Sequence, residues 1–246
     1  MDPIAYVVFA YPEEWPGCAG AFARHSLLFE QVGGGRPCAL VPFLHAAVLL
    51  PRLAPCAVVL SGFGRSFDDF RPVDLKPVAD FVTSNPDTPV LGLCGGHQLL
   101  AFIYEGRVDG VQPLRDQPMR RRRPGEPVER PDYHPDYFME TGFRELSVVE
   151  RSPLFDGCPE RPMVWESHYC EVKRLPEGFR LLASTADCRI QAMRHEYRPA
   201  VGLQFHPEEC TERFPDGRSI LEAFFRDVAG LVPLGAGDPA ITEVQT

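Results

Sequence analysis

The sequence predicts an α/β protein built on a three-layer, mostly parallel sheet. Two observations indicate this class: short apolar segments alternate with helical segments in the N-terminal part, and a strand-rich stretch follows in the C-terminal part. The chain has 246 residues, of which 44% are hydrophobic, so it can bury a core without disulfide bonds. We expect a single domain over residues 1–246, with a surface insertion at about 111–138 and a loose tail at about 235–246.

Four buried strands are predicted in the N-terminal part. Each is a short run that is apolar at nearly every position, which is typical of strands covered by helices on both faces. The predicted strands are residues 4–10, 38–43, 57–60 and 90–93. The apolar spacing predicts helices at 19–32 and 45–53, a helix that ends near Thr83, and another directly after the fourth strand.

The second part of the chain begins with a segment of different character. Residues 104–138 are rich in glycine, proline and charge and contain the run Arg120-Arg121-Arg122-Arg123, which we interpret as a long surface excursion with solvated arginines. Six strands are then predicted, at 146–149, 163–165, 171–173, 180–183, 190–193 and 200–205, before an amphipathic helix at about 218–231. Antiparallel strands appended to the parallel sheet would give this order.

Composition excludes several classes of function. The net charge of −9 argues against a nucleic-acid partner, because binding to phosphates needs a basic surface. No apolar run approaches the ~18 to 20 residues needed to cross a bilayer, so no membrane association is expected. The eight cysteines contain no Cys-x-x-Cys pair, so we predict neither a metal site nor a disulfide framework. We expect a cytoplasmic protein without a cofactor.

The strongest candidate for a reactive group is Cys94. The pattern Gly92-x-Cys94-x-Gly96 follows a predicted strand and opens a predicted helix, which is the cysteine version of a nucleophile elbow. Glycines on both sides leave room for a strained turn, and the N-terminus of the following helix favours a thiolate. The glycines alone leave a buried structural cysteine equally possible.

A candidate base and its orienting group lie at the end of the last predicted strand. His206 and Glu208 are two residues apart, so in an extended backbone both side chains would project to one face. An imidazole activates a neighbouring thiol, and a carboxylate behind it fixes its tautomer. Cys94, His206 and Glu208 would therefore act as nucleophile, base and orienter. Enzymes of the α/β-hydrolase type place the acid before the histidine, so this order disfavours that fold.

Two segments resemble the class I (triad) glutamine amidotransferases: Gly92-Leu93-Cys94-Gly95-Gly96-His97-Gln98 and Gly202-Leu203-Gln204-Phe205-His206-Pro207-Glu208. Residues 61–64 and 165–168 fall where that family has its oxyanion loop and a substrate-contacting segment, and the resemblance extends over roughly residues 4–231. It implies a flavodoxin-like sheet and glutamine as substrate. It also implies a thioester on Cys94 and ammonia released with a proton from His206.

The resemblance further implies an oxyanion hole formed by the backbone N–H groups of Phe63 and Gly95. The substrate contacts that it implies are Gly62, Gln98, His168 and Tyr169. One departure concerns Ser61-Gly62-Phe63-Gly64, where the family usually has Ser-Gly-Gly-Pro. The bulky Phe63 puts the orientation of the N–H donor and the volume of the pocket in question.

Three functions are compatible with these residues. The first is a glutaminase that passes ammonia to a separate acceptor synthetase, because residues 209–246 have room only for one helix and a tail. The second is a hydrolase or transferase of other γ-glutamyl amides, peptides or hydrazides, which Phe63 and the insertion mildly favour. The third, a non-catalytic binding module, is disfavoured because all three triad residues are present.

Overall fold

A computed structural model describes residues 2–232 of the chain, so the predicted tail at 235–246 lies outside the described residues. Ten strands are described: β1 (Ile4–Val8), β2 (Cys38–Pro42), β3 (Ala57–Leu60), β4 (Val90–Leu93), β5 (Glu140–Glu145), β6 (Ser147–Val148), β7 (Met163–His168), β8 (Phe179–Ser184), β9 (Ala192–His195) and β10 (Ala200–Leu203). Eight of them form one sheet in the order β2-β1-β3-β4-β10-β9-β8-β6. The first five in this order are parallel and the last three continue the sheet in antiparallel pairs.

Helices cover both faces of this sheet. They are α1 (Trp15–Val32), α2 (Ala46–Leu53), α3 (Pro72–Ser84), α4 (Gly95–Tyr104) and α5 (Asp216–Ala223). Alternate residues of β1 point to opposite faces, so Tyr6 packs with α1 and α5 while Val7 packs with α2, α3 and α4. The predicted three-layer, mostly parallel architecture is therefore confirmed.

The parallel order β2-β1-β3-β4-β10 positions the site. In open α/β sheets, ligands bind at the carboxyl ends of the parallel strands, where the strand order reverses. The order reverses between β1 and β3, and the loops after β3, β4 and β10 all leave the sheet at that edge. These loops carry Phe63, Cys94 and His206.

Several predicted elements were wrong in detail. Residues 171–173 form no strand: their backbone pairing with the insertion is limited to an isolated bridge between Cys170 and Pro118 and a hydrogen bond from the N–H of Glu171 to the carbonyl of Gln117 (2.9 Å). Strand β5 was missed because its residues are half-buried and polar, and it pairs only with β7 in a separate two-stranded sheet. The last helix is shorter than predicted: α5 gives way to one π-helical turn, Phe224–Val228.

The insertion is held together by two of the arginines that were predicted to be solvated. Arg120 donates to Glu126 (2.7 and 2.8 Å) and to Asp187 (2.6 Å), and its guanidinium stacks on the ring of Phe138. Arg122 donates to the carbonyls of Pro135 (2.7 Å) and Glu126 (2.6 Å). Ion pairs and backbone contacts therefore replace a hydrophobic core in this segment.

No helix in residues 2–232 is both long enough and apolar enough to cross a membrane. The eight cysteines, which all lie in this part of the chain, are free thiols.

The tight turn after β4 gives a prediction about stability. A Cβ atom on Gly96 would collide with the backbone of Leu60 in β3, where its distance to the carbonyl carbon would be 2.8 Å. Backbone cannot move aside cheaply, so Gly96→Ala is expected to lower the free energy of unfolding by about 2–4 kcal/mol in urea denaturation. Gly20 in α1 has nothing within 4 Å of such a Cβ atom, so Gly20→Ala should instead raise it by about 0.5–1 kcal/mol. Equal stability of the two variants would contradict this account.

Candidate active site

Cys94 occupies a strained turn between β4 and α4. Its backbone has φ 48° and ψ −106°, and positive φ is rare for a residue with a side chain. The turn is held because the Cys94 N–H donates to the carbonyl of Leu203 (2.8 Å), while its own carbonyl accepts from the N–H of Gln98 (3.1 Å). A Cβ atom on Gly92 would be 2.5 Å from the carbonyl oxygen of Gly96, so the turn requires glycine there. The predicted elbow is present.

His206 reaches the same point from the neighbouring strand. Strand β10 pairs with β4 in parallel, and the N–H of His206 donates to the carbonyl of Trp165 (2.8 Å). A Cβ atom on Gly62 would lie 2.8 Å from His206 Cε1 and 3.2 Å from Cys94 Cβ. The structure therefore brings the thiol and the imidazole together, with Gly62 leaving the space between them.

Glu208 lies behind the imidazole, although the backbone is not extended as predicted. Residues Pro207–Glu209 form a turn of 3-10 helix, and this turn brings Glu208 Oε1 to 2.8 Å from His206 Nδ1. Burial by itself would lower the pKa of His206, but the negative charges of Cys94 and Glu208 raise it well above its ordinary value. The carboxylate thereby favours the imidazolium form.

The two predicted oxyanion-hole residues are in contact. The ring of Phe63 lies over Gly95, where a Cβ atom would be 2.5 Å from Phe63 Cε1. The same ring packs against three other phenylalanines, with centroid distances of 5.0 to 5.6 Å to Phe9, Phe67 and Phe70. This aromatic packing fixes the side chain of Phe63, whose bulk was in question. The role of these residues as N–H donors stays a prediction.

A cavity of about 460 Å³ opens beside Cys94. Glu208, which lies behind the ring of His206, does not reach its wall. The remaining predicted site residues all line it: Gly62, Phe63, Cys94, Gly95, Gln98, His168, Tyr169 and His206. Sequence reasoning missed the contribution of the insertion, which adds Asp116, Arg130 and Tyr133 to the wall.

Two buried amides connect the thiol with the cavity wall. Gln204 Nε2 donates to Cys94 Sγ (3.7 Å), and Gln204 Oε1 accepts from Gln98 Nε2 (3.2 Å). Gln98 also donates to the carbonyl of Cys170 (3.0 Å). Gln204 was not predicted as a site residue, although a polar residue in an apolar strand was a usable signal.

His168 belongs to a buried charge cluster that the sequence did not reveal. Its Nδ1 is 3.0 Å from the carbonyl of Cys170, and its Nε2 is 3.2 Å from Glu140 and 3.1 Å from Glu166. Burial alone would lower the pKa of His168, but the two carboxylates raise it to about 10. Both nitrogens therefore face protein groups, and the contact of His168 with a substrate stays a prediction.

Two groups of donor atoms have spacings that would suit a metal ion, Asp116 with His134 and Cys170, and Glu140 with His168 and Cys188. In the second group Glu140 already accepts hydrogen bonds from Thr185 (2.6 Å) and Gln191 (2.7 Å). Its charge is also compensated by the imidazolium of His168. The protein's own groups thus satisfy Glu140, whereas His168 Nε2 makes no hydrogen bond of good geometry. The absence of a metal requirement stays a prediction.

The fold and the site define a class of protein: a flavodoxin-like α/β sheet that carries a cysteine on a strand-to-helix elbow with a histidine beside it. The sequence profile of the family described as Glutamine amidotransferase class-I matches residues 41–228. The chain therefore belongs to the class-I glutamine amidotransferase family, as the sequence motifs predicted.

Relatives and solved structures agree with this assignment. The chain is 31% identical over 195 residues to a GMP synthase [glutamine-hydrolyzing] of Clostridium novyi, covering 79% of this chain and 32% of that protein. It is 38% identical over 130 residues to a subunit of the GMP synthase [glutamine-hydrolyzing] of Archaeoglobus fulgidus, covering 52% of this chain and 56% of that protein. The chain thus spans less than two thirds of either relative.

Two solved structures share the fold. A putative GMP synthase subunit from Thermoplasma acidophilum superposes with a TM-score of 0.66 at 24% identity, covering 94% of this chain and 95% of that one. A glutamine amidotransferase from Thermotoga maritima superposes with a TM-score of 0.63 at 15% identity, covering 93% and 99%. At these identities the likeness concerns the fold.

Proposed function

We propose that this chain hydrolyses the side-chain amide of glutamine through a thioester on Cys94 and supplies the ammonia to a separate acceptor enzyme. One observation carries the proposal: Cys94, His206 and Glu208 lie next to one another in that order. The thiol of Cys94 adjoins the ring of His206, and Glu208 Oε1 lies 2.8 Å from His206 Nδ1 on the far side of the ring. Family membership and the cavity beside the sulfur support it.

The reaction follows from the chemistry of these groups. The Cys94 thiolate attacks the γ-carbon of glutamine, and the charge that develops on oxygen is stabilised by the N–H groups of Gly95 and Phe63. The imidazolium of His206 gives its proton to the amide nitrogen, the C–N bond breaks, and ammonia leaves. Water then attacks the thioester while His206 takes its proton, and the C–S bond breaks to release glutamate and restore the thiolate.

The name of one of the two relatives supports a separate acceptor. The Archaeoglobus fulgidus protein is named as one subunit of a glutamine-hydrolysing GMP synthase, which implies a further subunit. We propose that the partner of this chain is likewise a synthetase that consumes ammonia. The predicted cytoplasmic location stays a prediction.

A second candidate is a free-standing hydrolase of larger γ-glutamyl amides. It is favoured by the cavity volume of about 460 Å³, which is within the range of sites for drug-sized ligands. Assays of the purified chain separate the two candidates. A partner-dependent glutaminase should be nearly idle alone and gain activity with its synthetase, whereas a γ-glutamyl hydrolase should be fully active alone.

Covalent labelling tests the shared chemistry. A chloroketone analogue of glutamine should form one adduct per chain, on Cys94, because only this sulfur adjoins His206 among the described cysteines. Mass spectrometry of peptides identifies the site, excess glutamine should slow labelling, and alkylation of the denatured chain provides the total of eight thiols. Absence of an adduct would favour the third candidate, a non-catalytic binding module.

A further inference from the structure

The position of His206 fixes how an acyl substrate lies in the cavity. His206 must reach the leaving nitrogen, so that nitrogen lies on the side of Cys94 where Gly62 and His206 meet. The rest of the acyl group is attached to the other side of the carbonyl carbon. It must therefore extend away from His206, towards Gln98 and Cys170, which are joined by a hydrogen bond of 3.0 Å.

The insertion closes this acyl side of the cavity. Its backbone is fixed to the neighbouring segment because the N–H of Met119 donates to the carbonyl of Tyr169 (2.7 Å), and Pro118 bridges to Cys170. Tyr133 packs its ring against that of Tyr169, with centroids 4.6 Å apart.

Asp116 anchors the part of the insertion that faces the cavity. Its Oδ1 accepts from the N–H of Phe67 (2.8 Å), and its Oδ2 accepts from the hydroxyl of Tyr133 (2.7 Å) and lies 2.8 Å from His134 Nε2. The carboxylate is thus occupied by three partners from two segments. These hydrogen bonds consequently hold the part of the cavity wall that would contact the acyl group in a fixed position.

Arg130 is the unpaired charge on this wall. The other cavity-lining arginine, Arg65, is held by Glu13 (3.4 Å) and Glu14 (3.2 Å), and Glu209 is paired with His25 (3.0 Å). In residues 2–232 no carboxylate lies within 4.0 Å of the guanidinium of Arg130. Arg130 and Tyr169 line the same cavity, and the positive charge of Arg130 partly opposes the rise in the pKa of Tyr169 that burial causes.

We propose that Arg130 binds the α-carboxylate of the γ-glutamyl substrate, so that the insertion selects acyl groups carrying a free carboxylate. This inference rests on the proposed function, since it assumes an acyl group attached to Cys94 and directed away from His206. A guanidinium without a carboxylate partner in the protein is suited to bind a carboxylate in bidentate geometry. Every other cavity-lining charge that we describe already has a partner.

Binding measurements test the role of Arg130 without requiring turnover. The full chain carrying Cys94→Ala is titrated calorimetrically with L-glutamine and with 4-aminobutanamide, which is glutamine without its carboxylate. Arg130→Met in this background is expected to weaken glutamine binding by about 10- to 100-fold, because a charge-assisted hydrogen-bonded pair is lost. The affinity for 4-aminobutanamide should change by less than about twofold, and Arg130→Lys should restore part of the glutamine affinity.

The matched control is Arg123→Met: both arginines belong to the insertion and are exposed, but Arg123 does not line the cavity. It should leave both affinities unchanged. The proposal is overturned if Arg130→Met leaves glutamine binding intact or weakens both ligands equally. Failure of the proposed function would appear differently, as an unlabelled Cys94 or as glutamine hydrolysis that survives Cys94→Ala.

Discussion

Cys94→Ala is expected to lower kcat for glutamine hydrolysis by about four orders of magnitude or more, with the dissociation constant of glutamine within about threefold of wild type. The methyl group cannot form the proposed thioester, whereas the rest of the cavity wall is unchanged. Ammonia release in the presence of the acceptor enzyme measures the first quantity, and calorimetry the second. Alanine also fits the turn sterically, although it retains the strained positive φ.

Cys170→Ala provides the control for a sulfur in the same cavity. Burial raises the pKa of Cys170 far above its ordinary value, so its side chain is a neutral thiol and a poor nucleophile. The control variant should keep kcat within about tenfold of wild type. Unimpaired turnover by Cys94→Ala, or equal losses in the two variants, would refute a thioester on Cys94.

The sequence alone indicated those site residues whose position depends on the local backbone. The spacing of Gly92, Cys94 and Gly96 encodes a turn that only glycines permit, and such a turn occurs at the end of a buried strand. His206 follows another buried strand, and parallel strands end at one edge of a sheet. For these reasons the elbow and the histidine could be found without coordinates.

Contacts between distant segments were not predictable in this way. His168 contacts Glu140 because β5 and β7 are antiparallel neighbours. The residues of β5 are polar and half-buried, so their sequence does not indicate a strand or its pairing. Arg120 likewise donates a hydrogen bond to Asp187, which is 67 residues away in the sequence. Charged residues are usually solvated, so composition alone favoured a loose loop over the ordered wall that the insertion forms.

Glu208→Gln is expected to reduce kcat/KM for glutamine by about 100-fold at neutral pH. The amide keeps an oxygen that accepts from His206 Nδ1 but carries no charge to stabilise the imidazolium. His206→Asn removes the proton donor itself and should cost about 1000-fold or more. Steady-state kinetics with the acceptor enzyme present measure both losses.

The pH dependence distinguishes an electrostatic role of Glu208 from a packing role. The pKa of His206 is raised well above its ordinary value, so the proton-donating form persists through neutral pH and is lost only as the pH rises through that raised pKa. Removing the charge of Glu208 lowers this pKa, so the alkaline limb of kcat/KM should move to lower pH by about one unit. Glu209→Gln is the comparison: Glu209 pairs with His25 at 3.0 Å and interacts with His206 by charge alone, without a hydrogen bond, so its loss should move the limb by less than half as much. If the alkaline limb of kcat/KM does not shift in Glu208→Gln, Glu208 has a packing role and its charge does not stabilise the imidazolium.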